Sequence, residues 1–200
     1  MTRSRIFFTG VGGQGTLTAT TLLARTALDA GFPVTSGEIH GMAQRGGVVE
    51  STLLVGGYKS AVIAPGEADV ILGFELLETL RALPMLRRGG FVVGNSESLQ
   101  PVGVCLGREC YPPLEQVLEI AKGFAARVVM APCISLAEQA GTAKAANTVL
   151  LGAAAACGAL PFTLEALARS IEKYLKPKLV EVNLKALALG AGAVAASQAA

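Results

Sequence analysis

The stretch Thr9-Gly10-Val11-Gly12-Gly13-Gln14-Gly15-Thr16 decides the predicted fold, because it joins the apolar run Ile6-Phe7-Phe8 to a helix-like segment. The glycines at positions 10, 12 and 15 have GxGxxG spacing. In that pattern the glycines make a tight turn, leave room for a phosphate oxygen and let a helix pack closely on a strand. Amides at a helix N-terminus attract negative charge. The sequence therefore predicts an anion site at Gly10, Gly12, Gly13, Gln14, Gly15 and Thr16.

The spacing has a structural alternative, since the same three glycines occur wherever a first strand turns sharply into a packed helix. The following segment supports a helix, with Leu17, Leu22, Leu23, Ala27 and Leu28 assigned to its apolar face. Gln14 can donate its side-chain amide to a phosphate or hold the turn. The sequence leaves both roles open.

The composition suits one domain spanning residues 1–200, which has enough length for a substantial core. It is 52% hydrophobic and 16% charged, so apolar surface is expected to be hidden in the core or against another subunit. The net charge is +2, without a basic block, and this argues against nucleic acid as a partner.

The four cysteines form no CxxC pair and have no metal-like spacing to His40, the sole histidine. We expect Cys105, Cys110, Cys133 and Cys157 to be small buried hydrophobes in a reducing compartment, and no metal site. The short apolar run after Met1-Thr2-Arg3-Ser4-Arg5 does not fit a signal peptide. The segment 145–160 is better interpreted as a buried helix than as a membrane span. A cytoplasmic protein without membrane contact is expected.

The order of predicted elements indicates an α/β protein. Strands are predicted at 4–9, 33–36, 48–55, 68–73, 91–93, 103–106 and 126–130. Helices are predicted at 16–30, 75–83 and 113–123, and from 134 onward with breaks at Gly141, Gly158–Pro161 and Pro177. Alternation of this kind predicts a three-layer α/β/α architecture with a mostly parallel, doubly wound type of sheet. The C-terminal third is predicted to be helical.

A second polar stretch, Glu38-Ile39-His40-Gly41-Met42-Ala43-Gln44-Arg45-Gly46-Gly47, lies between two predicted strands. In a doubly wound sheet the loop after the second strand lies beside the first glycine turn, so the two stretches are expected to meet. Glu38, His40, Gln44 and Arg45 are the candidate ligand contacts here, and the planar guanidinium of Arg45 suits a phosphate or carboxylate. Alternatively, this is an exposed connection in which Arg45 pairs with Glu38 or Glu50.

Glu38 also allows a dinucleotide site, because an acidic residue about 20 positions beyond the glycines can bind a ribose hydroxyl. That interpretation makes the protein a stand-alone oxidoreductase that binds NAD or a flavin nucleotide. Against it, the chain has no obvious second domain to hold a hydride acceptor. No catalytic residue is predicted, since no Ser/His/Asp or Cys/His arrangement can be assembled from the sequence.

Together, the two stretches resemble the gamma subunit, or gamma domain, of 2-oxoacid:ferredoxin oxidoreductases. The resemblance is greatest to the small (beta) subunit of the indolepyruvate type of this enzyme, and it rests on the segment His40-Gly41-Met42-Ala43-Gln44-Arg45-Gly46-Gly47. The similarity extends along most of the chain, through the segments 68–75 and 146–153 and the residues Asn95, Lys178, Asn183, Ala186 and Gly190.

The resemblance implies a non-redox subunit that binds no cofactor alone. In such enzymes a large partner subunit holds thiamine diphosphate and iron–sulfur clusters, decarboxylates a 2-oxoacid and passes electrons to ferredoxin, with coenzyme A as co-substrate. The glycine turn and the Arg45 loop would face the partner's active site and hold diphosphate or coenzyme A phosphates, or order the subunit interface. A third, non-enzymatic interpretation is a nucleotide-sensing or scaffold module that forms a homodimer when isolated.

Overall fold

The computed structural model describes residues 3–40, 47–98, 100–107 and 110–199. Its strands are β1 Ser4–Val11, β2 Val34–His40, β3 Val48–Val55, β4 Ala68–Gly73, β5 Leu86–Asn95 and β6 Ala125–Ala131. Its α-helices are α1 Thr16–Asp29, α2 Leu76–Ala82, α3 Val102–Cys105, α4 Leu114–Lys122, α5 Cys133–Ala140, α6 Ala146–Ala156, α7 Leu164–Tyr174 and α8 Pro177–Ala199. Short 3-10 turns follow α2, at Leu83–Met85, and precede α6, at Ala143–Ala145.

The six described strands form one mixed sheet in the order β2-β3-β1-β4-β5-β6. The pairs β1–β4, β4–β5 and β5–β6 are parallel, whereas β3 runs antiparallel to both β1 and β2. The strands that are parallel to one another therefore end at one edge of the sheet, here called the carboxyl edge. This is the edge at which α/β proteins bind ligands.

Helices cover both faces of the sheet. Alternating residues of the central strands, such as Phe8 and Leu72, pack on one face against α1, α5, α6, α7 and α8. Their neighbours, such as Phe7 and Ile71, pack on the other face with residues of α2 and α4. The buried strands therefore read as nearly continuous apolar runs, as expected for strands covered on both faces.

Helices α6 and α8 lie unusually close together because glycines form their contact. A Cβ atom at Gly152 would overlap the Leu187 carbonyl oxygen, and one at Gly190 would overlap the Val149 carbonyl oxygen. The absence of side chains at these two positions lets the helix backbones touch. Helix α8 is thereby held against α6, whose first turn lies beside the glycine turn.

The predicted α/β class, the mostly parallel sheet and the helical C-terminal third are confirmed, but three details were wrong. Residues 103–106 were predicted as a strand, whereas α3 occupies Val102–Cys105, since the Pro101 carbonyl accepts the amides of Val104 and Cys105. Proline suits a helix start because it has no amide hydrogen to donate. The second strand continues to His40 and pairs as an antiparallel hairpin with β3, which separates it from β1.

The third detail concerns the face of α1. Leu22, Leu23 and Ala27 are buried as predicted, but Leu17 and Leu28 are 52% and 57% exposed. These two leucines lie roughly three turns apart and so point in the same direction, away from the sheet.

Candidate functional site

The glycine turn lies at the carboxyl edge between β1 and α1, and its glycines are required by local geometry. Gly13 and Gly15 have φ angles of 104° and 83°, in the left-handed region that favours glycine. At Gly10 a Cβ atom would lie 2.7 Å from the Phe74 Cβ and 2.7 Å from the Gln14 Oε1. The turn therefore needs glycine for backbone conformation at two positions and for close packing at a third.

Gln14 closes the turn through its side chain. The side-chain Oε1 of Gln14 accepts a 2.8 Å hydrogen bond from the Val11 backbone amide. The backbone amide of Gln14 donates to the Val11 carbonyl at 3.2 Å. Of the two roles that the sequence left open, the structure shows the one in which Gln14 holds the turn. Gln14 also lines the adjoining cleft.

The N-terminus of α1 has no side-chain cap, since Gly15 occupies the N-cap position. The first amides of a helix have no intrahelical partner, so an uncapped start leaves donors for a ligand or water. Thr16 is 3% exposed, and its hydroxyl oxygen has no hydrogen-bond partner among the described residues. The buried hydroxyl and the uncapped amides both mark this helix start as polar and unsatisfied.

The second polar stretch meets the glycine turn at its C-terminal end. The Gly12 amide donates a 2.9 Å hydrogen bond to the Gly47 carbonyl, directly beyond the Val11–Val48 pair that ends the β1–β3 ladder. Residues 41–46, including Gln44 and Arg45, lie outside the described residues. The structure thus brings the end of this stretch to the turn, and the positions of Gln44 and Arg45 stay predictions.

The start of the second stretch lies further from the turn. Glu38 is exposed and pairs with Ser51 of β3, whose hydroxyl donates to the Glu38 Oε1 at 3.4 Å. His40 ends β2 opposite Val49, and only its backbone belongs to the described residues. With β3 between them, β2 and β1 are about 10 Å apart, twice the usual strand spacing. Glu38 therefore does not occupy the neighbouring-strand position that a ribose-binding carboxylate takes in a dinucleotide fold.

A cleft of about 1110 Å³ opens beside the glycine turn. We call it the lysine cleft, because Lys144, Lys178 and Lys185 line it together with the turn residues Gly13, Gln14 and Gly15. Its other walls include Phe74, Asn95, Cys133, Ile134, Asn147, Leu150, Leu179, Glu181, Val182 and Asn183. None of the three lysines forms an ion pair with a described carboxylate. The cleft therefore combines three lysines, one carboxylate and a helix N-terminus with apolar walls.

Sequence reasoning did not identify the lysine cleft as a site. Lys178 belongs to the residues that carry the family resemblance, and no sequence motif includes Lys144 or Lys185. A signal was present, because Lys178 and Lys185 are seven residues apart and so project from the same side of one helix. What could not be read from the sequence is that this side of α8 faces the glycine turn.

A hydrogen-bonded chain connects α8 to the glycine turn through α6. The Thr148 hydroxyl donates to the Asn183 Oδ1 at 2.6 Å, and the Asn183 side-chain NH₂ donates to the Leu179 carbonyl at 2.8 Å. The Thr148 amide donates to the Asn147 Oδ1 at 2.9 Å, and the Asn147 Nδ2 lies 3.4 Å from the Gly15 carbonyl. The Asn147 side chain thus links α6 to the glycine turn, and the Asn183 side chain links α8 to α6.

Two further polar groups at the carboxyl edge are tied up in structural contacts. The buried Glu75 caps α2 by accepting the Glu78 amide at 2.9 Å, and it also accepts the Tyr111 hydroxyl at 2.5 Å. Burial, and then the Glu75 carboxylate, raise the pKa of the Tyr111 hydroxyl. The Glu97 carboxylate accepts the amides of Ile134 and Ser135 at the start of α5. These carboxylates are engaged in capping helices.

The cysteines divide into two classes. Cys133 and Cys157 are buried as predicted, and burial raises the pKa of both thiols, so neither is a ready nucleophile. The prediction was wrong for Cys105 and Cys110, which are exposed because the segment after β5 runs over the surface. In the described ranges, no group of three or more His, Cys, Asp or Glu side chains is placed to hold a metal ion.

Comparison with known proteins identifies the family. Residues 5–193 match the family model described as pyruvate ferredoxin/flavodoxin oxidoreductase. This chain belongs to that family. It is 40% identical to indolepyruvate oxidoreductase subunit IorB of Pyrococcus horikoshii over 192 residues, which cover 95% of each chain. The predicted resemblance is confirmed, and the stand-alone dinucleotide-binding alternative is not supported.

Solved structures of this oxidoreductase family share the fold. The gamma subunit of a keto/oxoacid ferredoxin oxidoreductase from Geobacter sulfurreducens has a TM-score of 0.68 and 23% identity, over 96% of this chain and 99% of that one. A 2-oxoglutarate:ferredoxin oxidoreductase from Magnetococcus marinus, solved with coenzyme A bound, has a TM-score of 0.71 and 16% identity, over 98% of this chain and 32% of that one. The same fold thus occurs as a separate subunit and within a longer chain.

Within the part of this family member that the structure describes, no helix is both long and apolar enough to cross a membrane.

Proposed function

We propose that this chain is the non-redox small subunit of a 2-oxoacid:ferredoxin oxidoreductase of the indolepyruvate or arylpyruvate type. It would work with a large subunit that carries thiamine diphosphate and the iron–sulfur clusters, forming acyl-CoA, CO₂ and reduced ferredoxin. The match to an IorB subunit over nearly its whole length carries this proposal. The chain would be inactive alone.

The donor atoms of the chain support placing the redox groups on the partner. Iron–sulfur clusters in proteins are held by sets of cysteine thiolates. Here two thiols are buried and two lie on the surface, and the described residues contain no metal-holding group of side chains. Free thiols also support a cytoplasmic complex, because exposed cysteines persist unpaired in a reducing compartment.

The contribution of this chain would be to bind coenzyme A. A diphosphate suits the uncapped start of α1 and the free backbone of Gly13 and Gly15, since helix N-termini bind phosphate through amides and dipole. Lys144, Lys178 and Lys185 supply charge for additional phosphate oxygens, and the apolar walls of the lysine cleft suit the organic part of the molecule. When bound, coenzyme A supplies the thiol that accepts the acyl group. Thr16, Glu38, His40, Gln44 and Arg45 remain candidate contacts around the same turn.

Co-purification tests the assignment to a complex. The chain is expressed with and without the large subunit encoded beside it, and thiamine diphosphate, iron and arylpyruvate-dependent ferredoxin reduction are measured. We expect all three only in the co-expressed complex. Reduction of ferredoxin or of a nicotinamide by the small chain alone would contradict the proposal.

Calorimetry tests the coenzyme A site. Lys178→Gln removes one charge from the lysine cleft, and Arg88→Gln is the matched control because Arg88 is exposed at the opposite edge of the sheet, where β5 begins. We expect weaker coenzyme A binding to the complex for Lys178→Gln and unchanged binding for Arg88→Gln. Equal affinity for both variants and the wild type would exclude the lysine cleft.

A further inference from the structure

We propose that Asn147, Thr148 and Asn183 form a positioning relay that couples the glycine turn to helix α8. This inference rests on the proposed coenzyme A site, and it assigns to that site three residues that set its geometry through other groups. None of the three is proposed to touch the reacting atoms.

The relay ends on the turn at Gly15. The Gly15 carbonyl accepts the Ala19 amide at 3.0 Å, which starts the hydrogen bonding of α1, and Asn147 Nδ2 lies 3.4 Å from the same oxygen. A Cβ atom at Gly15 would lie only 2.8 Å from that Nδ2. Asn147 therefore packs directly against the residue whose left-handed backbone directs the first amides of α1.

The relay begins on the helix that carries two of the cleft lysines. Asn183 lies between Lys178 and Lys185 on α8, and it is 9% exposed. Its Oδ1 accepts the Thr148 hydroxyl at 2.6 Å, while its NH₂ group donates to the Leu179 carbonyl within α8. Asn183 thus fixes the rotation and height of α8 relative to α6 at the level of the lysines.

Thr148 joins the two halves. It is 3% exposed, and its hydroxyl and backbone amide reach Asn183 and Asn147 respectively. Because each of these polar groups is buried, breaking one bond leaves a partner unsatisfied and favours a small rearrangement. A shift of α8 relative to α6 would then move Lys178 and Lys185 relative to the first amides of α1. In the proposed site the lysines and these amides bind phosphates of the same coenzyme A molecule, so the shift would weaken binding.

The alternative is that these contacts stabilise the fold and do not affect coenzyme A binding. The chain offers a matched control that tests this alternative. The Thr26 hydroxyl lies 2.9 Å from the Ser170 Oγ and joins α1 to α7 in the same buried fashion. Ser170→Ala removes that bond at a position that does not line the lysine cleft. A loss that is merely one of stability should be the same for Ser170→Ala and for a relay variant.

The experiment uses the complex reconstituted with the large subunit. The isosteric Thr148→Val removes the bond to Asn183, Thr148→Ser retains the hydroxyl, and Asn183→Ala removes the acceptor from the other side. For each, the KM and the calorimetric Kd for coenzyme A, kcat at saturating coenzyme A, and the melting temperature are measured. We expect Thr148→Val and Asn183→Ala to raise the KM and Kd about fivefold, the factor that corresponds to one net buried hydrogen bond. We expect kcat to be nearly unchanged and Thr148→Ser to restore the wild-type affinity.

The outcomes separate this inference from the function on which it rests. If Thr148→Val and Asn183→Ala lower the melting temperature as Ser170→Ala does and leave the Kd unchanged, while Lys178→Gln weakens binding, the relay is structural only and the inference is overturned. If Lys178→Gln also leaves the Kd unchanged, the coenzyme A site itself is wrong. Should Thr148→Val fail to assemble, the affinity of Thr148→Ala decides between these outcomes, because Thr148, unlike Asn183, does not line the lysine cleft.

Discussion

The Gly12 amide donates a 2.9 Å hydrogen bond to the Gly47 carbonyl and so fastens the two motifs that are far apart in the chain. The bond extends the β1–β3 ladder by one step beyond Val11 and Val48. Since β3 runs antiparallel to β1, its first residue comes to lie where β1 ends. Gly47, the last residue of the second polar stretch, is therefore held at the glycine turn by sheet pairing.

Gln14 separates the stability of the turn from its binding of an anion. Gln14→Met removes the acceptor of the Val11 amide, and we expect a loss of about 1–2 kcal/mol in the free energy of unfolding. Gln14→Glu keeps an acceptor oxygen but adds negative charge at the start of α1, so we expect near wild-type stability. Coenzyme A affinity should fall about tenfold or more for Gln14→Glu, because the new carboxylate would repel a phosphate bound at the same turn. Urea unfolding and calorimetry measure the two effects, and undiminished affinity of the Glu variant would argue against phosphate at the turn.

The α6–α8 contact predicts that two glycines of one helix respond oppositely to the same change. Gly190→Ala places a Cβ on the Val149 carbonyl, and we expect it to lower the free energy of unfolding by about 3 kcal/mol. Gly192→Ala has nothing within 4 Å of the added Cβ, so it should raise stability by about 0.8 kcal/mol through helix propensity. Denaturant unfolding of both variants checks this, and a similar change in both would show that α8 does not pack on α6 through Gly190.

The contact between α1 and α7 predicts a pH dependence. Hydrogen bonds first from Lys173 and then from Tyr174, each 2.7 Å long, lower the pKa of Asp29 below its ordinary value of 3.8. The hydrogen bond that Lys173 donates to the Asp29 carboxylate raises the pKa of Lys173 above its ordinary value of 10.5. The ionised Asp29 carboxylate therefore adds to the free energy of unfolding above pH 3.8, and this stabilisation is lost as the pH falls through the lowered pKa. The protonated Lys173 adds to the free energy of unfolding below pH 10.5, and this stabilisation is lost as the pH rises through the raised pKa of Lys173.

An NMR titration measures these shifts directly. In Lys173→Met the Asp29 pKa should return toward 3.8, and the difference in stability between Asp29→Asn and the wild type should shrink as the pH falls below 3.8. An Asp29 pKa that is the same with and without Lys173 would mean that this ion pair is not formed in solution.

Arg45 is predicted to act on the ligand and not on folding. Arg45→Ala in the reconstituted complex should lower kcat/KM for coenzyme A by about tenfold or more, because a charge-assisted contact to phosphate or carboxylate would be lost. The circular dichroism spectrum and melting temperature should stay those of the wild type. Turnover equal to that of the exposed control Arg88→Ala would refute the assignment.

Much of the architecture could be predicted from short-range patterns. Apolar runs such as 68–73, glycines such as Gly13 and Gly15, and prolines such as Pro177 act through local sterics and burial, which the sequence displays directly. The wrong assignment of residues 103–106 arose because a run of four apolar residues fits either state, and the Pro101 carbonyl decided for the helix by accepting amides of that run. The second half of β2, residues 37–40, was missed because a strand paired at the sheet edge tolerates polar residues such as Glu38.

The sequence by itself determined the α/β class, the glycine turn and the family, since each depends on residue types at short, fixed spacings. Only the tertiary structure decided that Lys144, Lys178 and Lys185 share a cleft with that turn, and that Asn183 reaches it through Thr148 and Asn147. These relationships depend on how α8 packs on α6. That packing is set by the contact of glycines with backbone atoms distant in the chain, which no local pattern encodes.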